Sequence, residues 1–393
     1  MLFLTSVSGF ILFSLIGNLV LYRSFGKKTR ENRAFRKIWM AQSIGLAFLP
    51  IILFLLSFWG GLSTDSRLFM WGIFVFVLFS IPLIFFLLYS GIAILPLFRL
   101  QRIQKLSRYI GWFCTTVFFG TILYGGLIGR QKLTVQRETI WFTRLPESFD
   151  GLRIVQFSDL HLGSLRHNPA FIQEIADTIN ALTPDLIFFT GDLVNSLSEE
   201  ASPFKDILAQ LHAEEGVYSV LGNHDYGYYH RWDSDKSRLV NLRQLMELQD
   251  QAGWTLLNNR HLFLKRDNDS IAIIGVENWG EKQFGQQGDL QKAIQGVPPS
   301  TFSLLLSHNP IHWSKEVIKN TPIDLTFSGH THAMQTQIGS FSPSSWIYPH
   351  WGGLYQDGQQ FLNVNRGTGF VVFPARIGAY PEITLIELRH KKE

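Results

Sequence analysis

The stretch Leu152-Arg-Ile-Val-Gln-Phe-Ser-Asp-Leu-His161 decides the fold of this chain. Its first six residues predict a short buried strand, and a carboxylate and an imidazole follow that strand at once. Four further apolar runs, at residues 185–189, 217–221, 302–306 and 324–327, end in the same manner. Because ligands bind outside the carboxyl ends of the strands in open α/β sheets, we expect these polar groups to form one site.

Five polar islands follow these five runs. They are Ser158-Asp159-Leu160-His161, Thr190-Gly191-Asp192, Gly222-Asn223-His224-Asp225, Ser307-His308-Asn309 and Gly329-His330-Thr331-His332. One island alone would indicate an ordinary turn, since Asp, Asn and Gly are common turn residues. Five together predict a two-metal centre, because buried charges and imidazoles reduce stability unless they are paired or metal-bound. Histidine and carboxylate ligands suit Mn, Fe or Zn.

The spacing within the islands is consistent with shared ligands. Side chains two residues apart in an extended segment point to the same side, so Asp159 and His161 can face one metal, and His330 and His332 can share a side. His312 competes with His308, and we favour His308 because it lies closer to the end of its predicted strand.

The first third of the chain differs in composition from the rest. Residues 1–130 are rich in Phe, Leu and Ile, and they contain four apolar segments, at residues 2–22, 38–59, 68–98 and 109–128. Each is long enough to cross a hydrocarbon core of about 30 Å as a helix. We therefore expect a bundle of about four transmembrane helices in a multi-pass protein of the plasma (inner) membrane. The single cysteine, Cys114, excludes an intrachain disulfide.

The orientation of this bundle follows from its loops. Seven Lys or Arg residues crowd residues 23–37 and four lie in residues 99–108, whereas residues 60–67 contain one. The positive-inside bias then places the first and third loops in the cytoplasm and the rest of the chain outside it. If the third segment does not span, the soluble part is cytoplasmic instead.

Residues 131–150 read as a linker containing an edge strand, and residues 151–393 alternate between strand and helix patterns. Helices are expected at residues 169–182, 203–212, 237–251 and near 289–295. Further strands are expected at residues 254–257, 261–264, 271–276, 361–364 and 383–388. This alternation predicts a layered α/β domain.

In this order the islands resemble the signature of the calcineurin-like metallophosphoesterase family, namely D-x-H, G-D, G-N-H-D, a lone H and G-H-T-H. The resemblance covers residues 152–388 and implies a four-layer α/β/β/α sandwich with a bimetal site at one edge of two sheets. By this resemblance Asp159, His161 and His332 hold one metal, Asn223, His308 and His330 hold the other, and Asp192 bridges them. It also implies that His224 stabilises the transition state or protonates the leaving oxygen, with Asp225 as its orienting partner.

These features predict a metal-dependent phosphoric ester hydrolase in which a metal-activated hydroxide attacks phosphorus directly. A membrane anchor favours a lipid-linked phosphoester or pyrophosphate, because confinement raises the effective concentration of such substrates. One membrane-associated branch, similar to this chain, cleaves UDP-2,3-diacylglucosamine in lipid A synthesis, but that substrate is cytoplasmic, which conflicts with an outside domain. A regulatory or sensory membrane protein is the alternative from another class. The soluble half lacks a basic face, so we expect no nucleic-acid partner.

One aromatic segment remains open between two interpretations. Residues 341–355 contain Trp346, Tyr348 and Trp351 and are long for a loop in a compact domain. They either pack in the ordinary way or contact an acyl substrate or the bilayer interface.

Overall fold

The computed structural model describes residues 15–19, 22–23, 27–59, 67–92, 101–280 and 286–392. The chain divides into two compact units. The first comprises Met1–Ile128 together with Val372–Ala375, and the second comprises Gly129–Val371 together with Arg376–Glu393.

The described residues of the first unit are helical apart from Asn32, Ile128 and Val372–Ala375. Its helices are α1 (Lys27–Glu31), α2 (Arg33–Trp59), α3 (Arg67–Ile92) and α4 (Gln101–Leu127). Among the described residues, two stretches are long and apolar enough to cross a membrane, Arg67–Tyr89 and Gln101–Gln131. They overlap the third and fourth segments expected from the sequence. The second segment is helical within α2 but is not among these two, and most of the first lies outside the described residues.

Helices α3 and α4 pack through aromatic rings and one small residue. The rings of Phe85 and Phe118 stack with their centroids 3.8 Å apart, and Phe79 meets Phe119 edge-on at 5.7 Å. Gly126 of α4 lies against the ring of Phe74, where a Cβ atom would overlap it. A small residue at this position lets the two helices approach closely.

The second unit contains two six-stranded mixed sheets. Sheet A has the order β1-β12-β2-β3-β4-β5 and sheet B the order β10-β11-β9-β8-β7-β6. The strands are β1 (Thr134–Phe142), β2 (Arg153–Phe157), β3 (Leu186–Phe189), β4 (Val217–Ser219), β5 (Trp254–Leu256), β6 (Arg260–Arg266), β7 (Asp269–Gly275), β8 (Ser303–Leu306), β9 (Leu325–Ser328), β10 (Gly353–Asp357), β11 (Gln360–Val364) and β12 (Glu382–His390). Strand β1 lies in residues 131–150 and pairs in parallel with β12, so this stretch belongs to sheet A.

The two sheets pack face to face around one apolar core. Ile154 and Phe188 of sheet A share this core with Leu304 and Phe327 of sheet B, and the Phe188 and Phe327 rings meet edge-on at 4.9 Å. Apolar side chains alternate inward from both sheets, as in other sheet-on-sheet packings.

Helices cover the outer faces of the sheets. They are α5 (Leu162–Leu165), α6 (Pro169–Ala181), α7 (Lys205–Leu208), α8 (Asp235–Gln251) and α9 (Leu290–Ile294). Helix α6 begins where the sequence signals it, because the Asn168 side chain accepts a hydrogen bond from Phe171 N and Pro169 occupies the first turn. Its apolar stripe, which includes Ile172 and Ile175, is buried.

Two local predictions were wrong. The expected helix at residues 203–212 is a 3₁₀ turn followed by the four residues of α7, because Asn180 satisfies the next backbone groups from outside. Its side chain accepts from His212 N at 3.1 Å and donates to Gln210 O at 2.7 Å. Strand β10 was expected to be loop, yet it forms a hairpin with β11 whose two loop residues are Gly358 and Gln359. Gly358 has a φ of +60°, and two-residue hairpin turns favour glycine where φ is positive.

Candidate metal centre

The five polar islands lie in the turns that follow β2, β3, β4, β8 and β9, at one edge of both sheets. The backbone is left-handed at several of these residues, with φ of +52° at Asp159, +60° at Asp192 and +74° at His330. Such conformations are costly for residues other than glycine and cluster at functional sites. Two glycines make the close approach possible, since a Cβ atom at Gly222 would overlap the Asp192 carboxylate and one at Gly329 would overlap Asp159.

Asp159, His161 and His332 form the first ligand group. All three are buried, and one ligand atom from each lies within 4.8 Å of the others. His161 Nε2 is 3.1 Å from His332 Nε2, and His332 Nε2 is 3.4 Å from Asp159 Oδ1. The Asp159 carboxylate also accepts from His330 N, which ties the ends of β2 and β9 together.

Asn223, His308 and His330, with Asp192, form the second ligand group. His308 Nε2 lies 3.2 Å from His330 Nδ1, 3.2 Å from Asn223 Oδ1 and 3.2 Å from Asp192 Oδ2. Five separate strand ends therefore bring all seven residues expected from the sequence into two adjoining groups.

Asp192 lies between the two groups. Its Oδ2 is 3.2 Å from His308 Nε2 of the second group and 3.7 Å from His161 Nε2 of the first. Its Oδ1 accepts from His224 N at 2.8 Å, which fixes the rotation of the carboxylate. One carboxylate oxygen thus faces both groups, as a bridging ligand must.

The chemistry of these groups fits divalent cations. Burial lowers the pKa of His161 and His332 well below the usual range and that of His330 to about 3, so these imidazoles are neutral near pH 7. Within each group two ring nitrogens lie only 3.1–3.2 Å apart, close enough for both to bind the same ion. Neutral imidazoles with carboxylate oxygens are the donor set of Mn, Fe and Zn sites.

Two of the three remaining ionisable ligands, His308 and Asp192, respond to one another. Burial opposes the charge of His308, but the neighbouring Asp192 carboxylate outweighs it and raises the pKa of His308 to about 9. The pKa of Asp192 is correspondingly low, because nearby imidazoles outweigh its burial. Burial raises the pKa of Asp159 to about 6. The carboxylates of Asp192 and Asp159 are therefore stable in their charged form mainly when positive charge lies beside them.

Each ligand ring is also held from behind. His308 Nδ1 lies 2.7 Å from Thr190 O, His330 Nε2 lies 3.0 Å from Tyr348 Oη, and Asn223 Nδ2 donates to Tyr229 Oη at 2.8 Å. Partners of this kind orient metal ligands and tune their affinity.

Arg376 is a buried neighbour of His332 that the sequence did not reveal. Its side chain is fully buried, and Nη2 lies 3.0 Å from His332 Nδ1. The same guanidinium donates to the carbonyl oxygens of Gly369, Arg366 and Ala379. Burial lowers the pKa of Arg376 only to about 10, so it remains charged. No local pattern around this residue signals the contact.

The environment of His224 differs from the expected one. Its Nδ1 lies 2.7 Å from Asn195 O, and its ring stacks on Tyr229 with the centroids 4.2 Å apart. Asp225 does not serve as its orienting partner. The buried Asp225 carboxylate accepts instead from four backbone N–H groups, those of Asp192, Leu193, Val194 and Gly222. Asp225 therefore joins the turns after β3 and β4, and Asn195 orients His224.

His312, the competitor of His308, lies in neither ligand group. Its Nδ1 is 2.8 Å from Ser307 Oγ, its Nε2 is 3.4 Å from Glu316, and its ring stacks on Trp279. Burial lowers its pKa to about 4. The preference for His308 therefore agrees with the geometry.

Known proteins share this pattern. The family described as calcineurin-like phosphoesterase matches residues 152–334. An uncharacterized metallophosphoesterase of Bacillus subtilis, YkuE, is 30% identical over 74% of this chain and 98% of its own length. A transmembrane protein with metallophosphoesterase domain from Danio rerio is 31% identical over 68% of this chain and 60% of its own. The UDP-2,3-diacylglucosamine pyrophosphatase LpxG of Chlamydia muridarum is 30% identical over 58% of this chain and 81% of its own.

Proposed function

The chain belongs to the calcineurin-like phosphoesterase family and is a metal-dependent phosphoester hydrolase; on that premise we propose that it is membrane-anchored, binds two divalent metal ions and acts on a lipid-linked phosphoester or pyrophosphate. The observation that carries the proposal is the position of Asp192 Oδ2, 3.2 Å from one ligand group and 3.7 Å from the other.

The seven ligands divide as their distances suggest. Asp159, His161 and His332 would hold one ion, Asn223, His308 and His330 would hold the other, and Asp192 would bridge the two. When bound, two such ions lower the pKa of a water molecule and stabilise negative charge on a phosphate. Mn, Fe and Zn all suit this donor set.

His224 is the residue best placed to handle a proton. Because a carbonyl oxygen can only accept, the contact with Asn195 O keeps a hydrogen on Nδ1 and leaves Nε2 for the substrate. The ring is half-buried and stacks on Tyr229, so its direction is fixed. In the imidazolium form His224 would donate from Nε2 to the leaving oxygen, while Asp225 keeps the turns beneath it in place.

The membrane anchor supports a lipid substrate. The first unit contains two helices long and apolar enough to span a bilayer, and a relative is named as a transmembrane protein. We propose residues 1–130 as a multi-pass membrane region of about four spans and residues 151–393 as the catalytic domain, joined by residues 131–150. The distribution of Lys and Arg favours an extracytoplasmic domain.

A second candidate substrate is UDP-2,3-diacylglucosamine, whose pyrophosphate a relative of this chain is named for cleaving. This candidate requires the domain to face the cytoplasm. Accessibility of the domain to protease in intact cells and in inverted vesicles separates the two locations.

The central test uses the purified full-length protein. We expect two equivalents of divalent metal by elemental analysis and hydrolysis of bis(p-nitrophenyl) phosphate in the presence of Mn. A panel of phospholipids and UDP-2,3-diacylglucosamine then identifies the substrate class. A protein that retains no metal and hydrolyses none of these compounds contradicts the proposal.

A further inference from the structure

An exposed apolar surface lies beside the metal centre. Five large apolar side chains between Met334 and Ile347 face outward, and we call this segment the apolar loop. Their exposed fractions are 41% for Met334, 70% for Ile338, 46% for Phe341, 78% for Trp346 and 58% for Ile347. Among the described residues of the second unit, no large apolar side chains are more exposed than Trp346 and Ile338. A concentration of this kind marks an interaction site.

The apolar loop is also free of charge. No Asp, Glu, Lys or Arg occurs in residues 333–356, a stretch that includes Trp346, Tyr348 and Trp351. Soluble surfaces normally intersperse charges of both signs. The membrane–water interface instead enriches Trp and Tyr, whose rings are amphipathic. The composition of the loop therefore matches a lipid surface better than water or a charged protein partner.

Contacts within the segment keep these side chains exposed. The buried Ser342 hydroxyl donates to Ala333 O at 2.6 Å and accepts from Ser344 N at 3.1 Å. Ile338 and Phe341 form a β-bridge, and the Phe341 and Trp346 rings are 5.9 Å apart. These contacts hold the backbone of the segment while Trp346 and Ile347 point outward.

Both ends of the apolar loop connect to the metal centre. The loop starts two residues after His332, and it ends one residue before Tyr348, whose hydroxyl lies 3.0 Å from His330 Nε2. Just outside these ends, Thr331 Oγ1 donates to Trp351 O at 2.6 Å and closes the base of the loop. If the apolar loop binds to a surface, the ligand groups therefore lie at a fixed distance from that surface.

We propose that the apolar loop inserts into the headgroup–acyl boundary of the bilayer and so places the metal centre at the level of lipid headgroups. The same chain carries two helices of membrane-spanning length, which keeps a bilayer within reach of the domain. This inference deepens the proposed function and depends on it only for the activity measurement described below.

A depth measurement tests insertion without any need for activity. The full-length protein is prepared with Cys114→Ser and Trp346→Cys, labelled with an environment-sensitive fluorophore and placed in phosphatidylcholine–phosphatidylglycerol nanodiscs containing 5-doxyl lipid. The matched control carries the label at Leu239→Cys, an exposed apolar position (48%) on α8. Because interfacial segments bury roughly 5–10 Å into the boundary, we expect about half or more of the fluorescence at position 346 to be quenched. The label at position 239 should be quenched far less.

An activity measurement tests the consequence. Trp346→Glu with Ile347→Glu should reduce hydrolysis of a phosphoester embedded in the nanodisc by about tenfold and leave hydrolysis of bis(p-nitrophenyl) phosphate unchanged, since charges are expelled from the boundary. Leu239→Glu is the control and should change neither. Equal, weak quenching at positions 346 and 239 overturns the inference. So does a label at position 346 that is shielded from water without being quenched by the doxyl lipid, if the shielding disappears on dilution, because that indicates contact with a second copy. Strong quenching at 346 in a protein that hydrolyses nothing refutes the proposed function but supports insertion.

Discussion

The two ligand groups use similar donors but rest on different supports. His332 of the first group contacts the buried, charged Arg376, which also binds three backbone carbonyls. In the second group, His330 contacts the Tyr348 hydroxyl and Asn223 the hydroxyl of Tyr229, a side chain that is 39% exposed. The first group is therefore part of the folded interior, whereas the second depends on surface loops. Loss of a contact should therefore affect both stability and metal binding in the first group, and metal affinity alone in the second.

The largest effect is expected at Asp192, because this residue lies between the two groups and its loss should affect both of them. Asp192→Asn keeps the shape but removes the charge between His161 and His308. We expect hydrolysis to fall by about 10³-fold or more and both metal equivalents to weaken, since the charge that two cations share is gone. Elemental analysis and initial rates measure this. Asp177→Asn, at an exposed position on α6, is the matched control and should behave as the parent. Retention of both metals by Asp192→Asn would show that Asp192 does not bridge.

Arg376 sharpens the comparison from the side of the first group. Arg376→Met leaves three buried carbonyl oxygens without a donor and removes the guanidinium beside His332. Removal of one partner from a buried charged network costs about 3–5 kcal/mol of unfolding free energy. We expect a lower Tm and a preferential loss of one of the two metal equivalents.

Two further variants separate support from general destabilisation at this site. Arg376→Lys keeps the charge but loses the planar fork, so its metal content should lie between those of the parent and Arg376→Met. Arg389→Met removes an arginine whose side chain is 38% exposed and should leave Tm and metal content unchanged. An Arg376→Met protein with lowered Tm and two full metal equivalents would limit Arg376 to a structural role.

Tyr348 provides the corresponding test of the second group. Tyr348→Phe keeps the ring and removes the hydroxyl that contacts His330 Nε2. Loss of a partner that orients a metal ligand typically weakens metal affinity by about 10–100-fold, so we expect the second equivalent to dissociate more readily while Tm stays near that of the parent. Competition with a chelator measures the affinity. Tyr228→Phe, which removes a surface hydroxyl bonded to Gln287, is the control. If Tyr348→Phe binds metal as tightly as Tyr228→Phe, the Tyr348 hydroxyl does not support the second group, and the proposed difference between the two groups is wrong.

The same contrast explains which features the sequence could predict. The ligands follow apolar strands directly, as His308 follows β8 and His330 follows β9, so local pattern and chain order were sufficient to find them. Their supports carry no local pattern. Arg376 lies 44 residues from His332, and Asn195 contacts His224 across 29 residues through a backbone carbonyl, which any residue type has.

Secondary structure shows the same limit. Helix α6 could be placed from Asn168, Pro169 and its apolar period. The failure at residues 203–212 came from a tertiary contact, because Asn180 on α6 binds the backbone that a longer helix would have used. In the first unit the described apolar segments are helical, but the number of helices that span a membrane depends on more than composition.

The smallest expected effect is at Tyr229, which touches both a ligand and the proton-handling residue. Its hydroxyl accepts from Asn223 Nδ2 at 2.8 Å, and its ring stacks on His224 at 4.2 Å. Tyr229→Phe removes the hydrogen bond alone, and a neutral hydrogen bond contributes about 0.5–1.5 kcal/mol, so we expect a loss of about 2–10-fold in metal affinity at the second group. Tyr229→Ala also removes the stacked ring and should reduce kcat further, because His224 then loses its fixed direction. Metal titration and steady-state rates on bis(p-nitrophenyl) phosphate resolve the two steps. If Phe and Ala variants have the same kcat, ring stacking does not position His224, and the orientation of that residue rests on Asn195 alone.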